Sequence, residues 1–182
     1  YGMSCGSSGE AEWSVQRGAT WHRLQYDQRS LRVKAQLGFR AKTRLLCSDQ
    51  GVTLENVRFE SNVARGSGGA IGTTEEYRNG FFSIKNSTFI GNTATNKGGA
   101  MDMNGVNTAA LLKHVTANDN HAGNGGAFSV GNRAAMHLFY VDGKNNFANN
   151  GHGGFLFAKF AAEILLRFAT LTLNTASIRG GS

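Results

Sequence analysis

Acidic residues and histidines are the side chains in this sequence that could carry acid–base chemistry or hold a metal. The chain has 12 Asp and Glu residues and five His residues among its 182 residues. Cleavage of a polysaccharide would need paired carboxylates, or a carboxylate-bound cation beside a basic residue. His121 and His152 come nearest to a metal pair, but no third ligand accompanies them. Because Ser/His/Asp triads and phosphate-binding loops are also absent, the sequence predicts no catalytic residue, no cofactor and no metal.

Cationic residues form a second group with possible chemistry. The formal net charge is +7, and residues 31–42 (LRVKAQLGFRAK) alternate apolar with polar side chains, which predicts a half-buried strand. This strip is a candidate site for a polyanion such as acidic polysaccharide, lipid headgroups or nucleic acid. Alternatively, it is a charged edge that blocks end-to-end association. Nucleic acid is the least favoured ligand, since no RRM or OB pattern is present. The candidate residues are Arg29, Arg32, Lys34, Arg40, Lys42 and Arg44.

Three local features leave alternatives open. Cys5 and Cys47 permit one disulfide or two free thiols, and their spacing matches no metal motif. The triplet at 86–88 (NST) is an N-glycosylation sequon, which has meaning only in a eukaryotic secretory protein. No apolar run approaches 18 residues, so no transmembrane segment is predicted, and the chain as given shows no signal peptide.

A repeated motif organises most of the chain. Residues 59–71 (FESNVARGSGGAI) and residues 89–101 (FIGNTATNKGGAM) align without a gap at an offset of 30. Shorter copies are found at 117–128, 147–156 and 171–182. Five registered copies are a strong signal of a repeat architecture. The predicted asparagine column is Asn62, Asn92, Asn120, Asn150 and Asn174.

The repeat unit predicts the fold class. Units of 24–30 residues contain short apolar runs and no stretch of 10–12 residues with helical periodicity. Three short strands per unit, joined by Gly and Asn corners, predict an all-β fold, a right-handed parallel β-helix (solenoid) of about five coils over residues 51–182. Residues 1–50 are predicted to form a basic N-terminal cap or extra-strand region. The 25 Gly and the absence of Pro agree with a backbone whose N–H groups are needed between coils.

Equivalent positions of the units receive predicted roles. Phe59, Phe89, Phe147 and Leu171 are expected to stack inside, and the asparagines are expected to form an amide ladder between coils. The glycine pairs are expected to form corners that need positive φ or a close approach of stacked backbones. These predicted turn residues are Gly68, Gly69, Gly98, Gly99, Gly125, Gly126, Gly153 and Gly154.

The same alignment tests for an active site. Asp102 is predicted to align with Gly72, Ser129 and Phe157, and no column contains two carboxylates. The acids are therefore interpreted as isolated surface residues.

The sequences FESN, FIGN and FANN, together with GGAI, GGAM and GGAF, resemble the repeat of the chlamydial polymorphic outer membrane proteins. The resemblance covers roughly residues 51–182. It implies the β-helical passenger domain of an autotransporter, acting as a surface adhesin. An extracellular, non-enzymatic protein is what this resemblance leads us to expect.

The sequence therefore predicts a non-catalytic extracellular or cell-surface module for adhesion or structural scaffolding, with a protein or glycan surface as partner. The alternative is a carbohydrate-active enzyme, lyase-like or hydrolase-like, on the same scaffold. Because Gly180-Gly181-Ser182 falls inside a repeat, we expect further coils or a partner subunit to stack on this end of the solenoid. The chain is thus expected to be a fragment or a subunit of a larger assembly.

Overall fold

The computed structural model describes residues 14–17, 20–23, 31–34, 52–73 and 79–178, the first three ranges as backbone only. No helix occurs among these residues, so none is available there to cross a membrane. Parallel strands stack into a β-solenoid of about four turns, which confirms the predicted parallel β-helix class. The prediction of about five coils came from the five motifs in the sequence. Five successive motifs enclose four complete turns, which agrees with the observed number.

Three parallel sheets form the sides of the solenoid, and one short antiparallel pair precedes them. The antiparallel pair is β1 (Ser14–Arg17) with β2 (Thr20–Arg23). The long sheet contains β3 (Leu31–Lys34), β4 (Val52–Glu55), β5 (Arg58–Glu60), β8 (Phe81–Ile90), β11 (Ala109–Asn118), β14 (Ala135–Lys144) and β17 (Glu163–Thr172). The second sheet contains β6 (Val63–Ala64), β9 (Thr93–Ala94), β12 (His121–Ala122), β15 (Phe147–Ala148) and β18 (Thr175–Ala176). The third contains β7 (Ile71–Gly72), β10 (Met101–Met103), β13 (Phe128–Val130) and β16 (Leu156–Ala158).

Each ten-residue strand of the long sheet bends near its middle. Lys113 of β11 pairs with Phe139 of β14, and pairing resumes at Val115 with Val141. The residue skipped at each bend has a positive φ of 47° to 55°. Apolar and polar side chains alternate on both sides of this bend in β8 and β11. Each long strand therefore supplies two straight sides of a coil, and the bend forms a corner. The bend residues are Asn86, His114, Tyr140 and Phe168.

The core consists of inward columns that contribute one side chain per turn. Phe59 and Phe89 stack with ring centroids 4.8 Å apart and planes 8° apart. Phe128 contacts Phe89 edge-on at 6.0 Å and Phe155 edge-on at 5.2 Å. A second column is fully buried through the middle of the molecule and consists of Leu54, Ile84, Leu112 and Leu138. Burial of these side chains supplies the main stabilisation of the solenoid.

The predicted alignment of the fourth repeat was wrong. Phe147 was expected in the core, but it pairs with His121 and is only half-buried. The position equivalent to Phe89 and Ala117 is Gly143. The core position of the fourth repeat therefore follows Ala117 four residues earlier than an alignment on Phe147 implied.

A volume exchange between two columns explains this error. At Gly143, an added Cβ would overlap ring atoms of Phe155, so the Phe155 ring fills the space that Phe89 fills in its own turn. Phe155 in turn occupies the position held by Ala100 and Ala127 in earlier repeats. In this turn the small residue lies in the Phe89 column and the large residue lies in the Ala100 column. The total packed volume is thereby kept, and volume-conserving changes are the ones that cores tolerate best.

The N-terminal predictions fall mostly outside the described residues. Arg32 and Lys34 lie on β3, which pairs in parallel with β4 and so adds one strand to the long sheet before residue 51. The other members of the cationic strip lie outside the described residues, as do both cysteines. Those members are Arg29, Arg40, Lys42 and Arg44.

Candidate functional site

An asparagine ladder runs through the buried interior along the four turns. In the first four of its five members, the side-chain Nδ2 donates to the Oδ1 of the next asparagine at 2.8 to 3.0 Å. The same Oδ1 also accepts the backbone N–H of the preceding asparagine at 3.0 to 3.1 Å. Each ladder residue is 2% exposed or less. The members are Asn62, Asn92, Asn120, Asn146 and Asn174.

Asn146, not Asn150, is the fourth member of this ladder. Asn150 is exposed, whereas Asn146 is fully buried and bonds to Asn120 and Asn174. Its second Nδ2 hydrogen is donated to the carbonyl of Ala117 at 2.7 Å. The correction follows from the register of Gly143, because the ladder residue is always the third after that column.

The paired glycines form the corner between the second and third sheets. The first glycine of each pair has φ between 61° and 70°, which L side chains rarely adopt. At the second glycine, an added Cβ would overlap backbone atoms of the next turn. Gly69, for example, would collide with the carbonyl of Gly99. Both roles match the corner function proposed from the sequence.

The four histidines whose side chains the structure describes contact aromatic or acidic neighbours. His121 lies edge-on to Phe147 at 5.7 Å, and His152 stacks on Phe157 at 6.2 Å. His137 lies 3.2 Å from the Glu163 carboxylate. Within the described ranges, no group of three or more His, Cys, Asp or Glu side chains could hold a metal ion.

Asp102 is a buried carboxylate on the third sheet, so its interpretation as a surface residue was wrong. It pairs with Gly72 and Ser129, and Ser129 pairs with Phe157, as the sequence alignment predicted. Asp102 is 3% exposed. Burial raises its pKa to about 6, while a hydrogen bond from Ser129 and the charges of Lys97 and Lys159 oppose the rise. A carboxyl group of this kind can exchange a proton near neutral pH, but its column brings no second carboxylate beside it.

An aromatic column lies on the outside of the long sheet, at the bend. His114 and Tyr140 stack with centroids 4.8 Å apart and planes 8° apart, and Tyr140 stacks on Phe168 at 4.8 Å and 9°. Tyr140 is 46% exposed and Phe168 is 68% exposed. Both faces of the Tyr140 ring therefore lie against other rings, and the column presents ring edges to solvent.

A cationic column runs directly beside the rings. Lys85 and Lys113 are in register on neighbouring strands, and Phe139 separates Lys113 from Arg167. All three cations are exposed, and none forms an ion pair with another described residue. We call the two columns together the lateral ridge. It consists of Lys85, Lys113, His114, Tyr140, Arg167 and Phe168.

The backbone at the ridge is strained because bulky residues occupy positions with positive φ. His114, Tyr140 and Phe168 have φ of 54° to 55°, a region that Asn tolerates and bulky side chains do not. The equivalent residues of the first two turns are Asn56 and Asn86. The later turns thus place aromatic rings in solvent at positions where Asn costs less, and such outliers point to function.

The sequence does contain a signal for this column, a constant distance from the ladder asparagine, but the repeat motifs do not reveal it. Each bend residue stands six positions before its ladder asparagine, from Asn56 before Asn62 to Phe168 before Asn174. The residue types differ from turn to turn, so no repeat motif marks them. The misplaced Asn150 also put Lys144, rather than Tyr140, at this position.

No protein family, curated protein or solved structure gives a significant match to this chain. The similarity of its repeats to those of chlamydial surface proteins therefore remains a hypothesis.

Proposed function

We propose that this chain is a non-catalytic binding or scaffolding module of a cell-surface or extracellular protein, and that the lateral ridge is its contact surface. One observation carries the proposal: exposed aromatic rings occupy left-handed backbone positions in three successive turns. Left-handed backbone costs a bulky L-residue about 1–2 kcal/mol. Stacking between the rings offsets part of that cost, and contact of the exposed ring edges with a partner would offset more.

The solenoid supports this role by its geometry. Coils stacked about 4.8 Å apart place equivalent side chains in a straight row on a rigid surface. The ridge thus offers an extended, preformed contact surface, and little ordering is needed when a partner binds. Resemblance to repeats of surface adhesins, proposed above from FESN and GGAI, agrees with this role.

The test compares binding by ridge variants on immobilised surfaces. Wild-type protein is applied to polygalacturonate, neutral dextran and gelatin, and bound protein is measured by biolayer interferometry. Replacing Tyr140→Asn and Phe168→Asn together introduces the residue type used in the first two turns. We expect this double variant to lose at least about tenfold in affinity for the surface that wild type binds.

A matched control removes an aromatic ring elsewhere. Phe147→Thr replaces a half-buried ring of the second sheet by the residue found in the neighbouring turn at Thr175. Binding by this control should equal that of wild type. Equal binding by the double variant and wild type on every surface would refute the proposal.

A carbohydrate-active enzyme is the second candidate, and Asp102 is the observation that favours it. A carboxyl group with a pKa of about 6 is suited to donate or accept a proton near neutral pH. Incubation with polygalacturonate would then release reducing ends, and Asp102→Asn would abolish that release. Turnover lost in Asp102→Asn would establish this alternative and displace the binding module.

A further inference from the structure

We infer that the lateral ridge binds an acidic polysaccharide that carries a carboxylate on each successive sugar and lies along the solenoid axis. This inference rests on the proposed binding function and names the ligand class of that same surface. Three features of the ridge lead to it: the in-register cations, the direction of the ring edges and the covered ring faces.

The cation column favours an anionic ligand. Lys85 and Lys113 face outward on adjacent strands about 4.8 Å apart, and like charges at directly opposed positions destabilise a sheet. Arg167 continues the column two strands further along. Lys85 and Lys113 lie one strand spacing apart and Arg167 lies two spacings beyond Lys113. These intervals match a polymer with one negative charge on each unit, because a sugar unit in an extended chain is about as long as the strand spacing.

The carboxylates near the ridge do not neutralise it. In the same outward column, Glu55 pairs with Lys85 at the end remote from the rings. In the next outward column, Asp142 is exposed beside Thr116 and Thr170. Glu163 lies near His137 rather than the ridge cations. Within the described residues, the ridge therefore keeps an excess of positive charge.

The aromatic column adds to the same preference. Aromatic ring edges carry partial positive charge, while the faces carry partial negative charge. The stacked rings of His114, Tyr140 and Phe168 direct their edges outward. Edges and cations together attract carboxylate and hydroxyl oxygens, which acidic sugars present in high density.

The covered ring faces distinguish a glycan from single-stranded nucleic acid. Bases bind to proteins largely by stacking on open aromatic faces. Both faces of Tyr140 are occupied, and one face of His114 and one of Phe168 are occupied too. A base therefore finds an open ring face only at the ends of the column, whereas a glycan oxygen can contact every edge.

Binding to three soluble polymers tests the inference. The probes are polygalacturonate, its fully methyl-esterified form and a single-stranded oligothymidylate. We expect polygalacturonate to bind at low ionic strength and to weaken steeply as salt is added. The neutral methyl ester should bind at least tenfold more weakly, because it keeps the sugar backbone and lacks the charge.

Charge variants locate the site. Lys85→Gln with Lys113→Gln should weaken polygalacturonate binding at least tenfold and flatten its salt dependence. The control Lys144→Gln removes an exposed cation four residues beyond the bend at Tyr140 and should change binding less than twofold. Because the double variant removes two charges and the control removes one, the losses in log affinity are compared per charge removed. Equal losses per charge would overturn the inference, since binding would then follow net charge alone.

The outcomes separate this inference from the proposed function. If oligothymidylate binds as tightly as polygalacturonate, or the methyl ester binds as tightly as the acid, the inference is wrong. In either case, loss of dextran or gelatin binding in the Tyr140→Asn/Phe168→Asn variant would still uphold the ridge as a contact surface. If that variant loses no binding to any surface, both fail.

Discussion

The buried asparagine ladder and the exposed bend column are two rows of the same solenoid, with one residue per repeat in each. The ladder has the same residue in every turn, and every member is at most 2% exposed. The bend column reads Asn, Asn, His, Tyr and Phe, and its Tyr and Phe are 46% and 68% exposed. The ladder side chains hydrogen-bond to the neighbouring turn, and the rings of His114, Tyr140 and Phe168 stack on one another.

The contrast shows what fixes residue identity in a solenoid. An inner ladder position such as Asn120 must donate two side-chain hydrogen bonds and accept two within the buried interior. An asparagine side chain provides this set of groups, and an unsatisfied buried group costs about 1–3 kcal/mol. A bend position is solvated and can accept many side chains, so its residue types are set by what the surface contacts.

The largest expected effect follows from removing a ladder amide. Asn120→Ala would leave the carbonyl of Phe89 without its side-chain donor, and the backbone N–H and one Nδ2 hydrogen of Asn92 without their acceptor. We expect the free energy of unfolding, measured by denaturant titration, to fall by about 4 kcal/mol.

The control is the asparagine first assigned to this column. Asn150 is exposed and outside the ladder, so Asn150→Ala should change the free energy of unfolding by less than about 0.5 kcal/mol. Similar losses in the two variants would contradict the corrected register of the fourth turn.

Asp102 extends the comparison to a buried polar side chain outside the ladder. Replacing it near neutral pH should stabilise the protein, whereas replacing a ladder asparagine should destabilise it. Its folded pKa of about 6 lies above its ordinary 3.8, so the folded state holds the proton more tightly. Stability therefore falls as the pH rises from about 4 to about 6 and is flat above that range. Asp102→Asn removes this pH dependence. Compared with its effect at pH 4, the substitution should raise the free energy of unfolding at pH 7 by up to about 3 kcal/mol.

Denaturant titrations of both proteins at pH 4 and pH 7 measure this difference directly. Other groups titrate in both proteins, and their contribution cancels in the comparison. An Asp102→Asn variant with the same pH dependence as wild type would show that Asp102 titrates normally.

The exchange of volume between Gly143 and Phe155 tests the alignment on which both rows depend. Gly143→Ala places a Cβ against the Phe155 ring and should cost about 2 kcal/mol by overpacking. In a Phe155→Ala background, the same change should cost at least about 1 kcal/mol less.

Gly66→Ala is the matched control for this pair. A Cβ added at Gly66 meets no atom within 4 Å, so its effect on unfolding should stay below about 0.5 kcal/mol. Additive costs for Gly143→Ala and Phe155→Ala would mean that the ring does not fill the space at Gly143.

Much of the fold could be predicted because the buried columns repeat. The Asn and Gly-Gly positions at 62, 68 and 69 recur at 92, 98 and 99 with the same spacing, and in the third and fourth repeats with one residue fewer or more between them. This near-regular recurrence is typical of stacked coils. The fourth turn was misaligned because Phe147 follows its ladder asparagine and imitates the core phenylalanine, while the true core position is Gly143. A sequence motif cannot show that Phe155 fills that space, since the exchange depends on three-dimensional packing.

The lateral ridge could not be predicted for a related reason. Exposed columns need not repeat a residue type, so Lys85, Lys113 and Tyr140 belong to no motif. Their alignment requires the correct register of all turns, and the error at the fourth turn obscured it. The cationic strip that the sequence did suggest includes Arg32 and Lys34 on β3, and its binding role stays a prediction.

The smallest expected effect separates the ridge from the ladder most directly. Replacing Tyr140→Asn and Phe168→Asn removes ring stacking, which contributes about 0.5–1.5 kcal/mol per pair. It also relieves left-handed strain, which costs a bulky residue about 1–2 kcal/mol. Since these terms oppose each other at similar size, we expect the free energy of unfolding to change by less than about 1 kcal/mol. Unchanged stability combined with lost binding identifies an exposed row shaped by a partner, whereas a loss near that of Asn120→Ala would make the rings part of the scaffold.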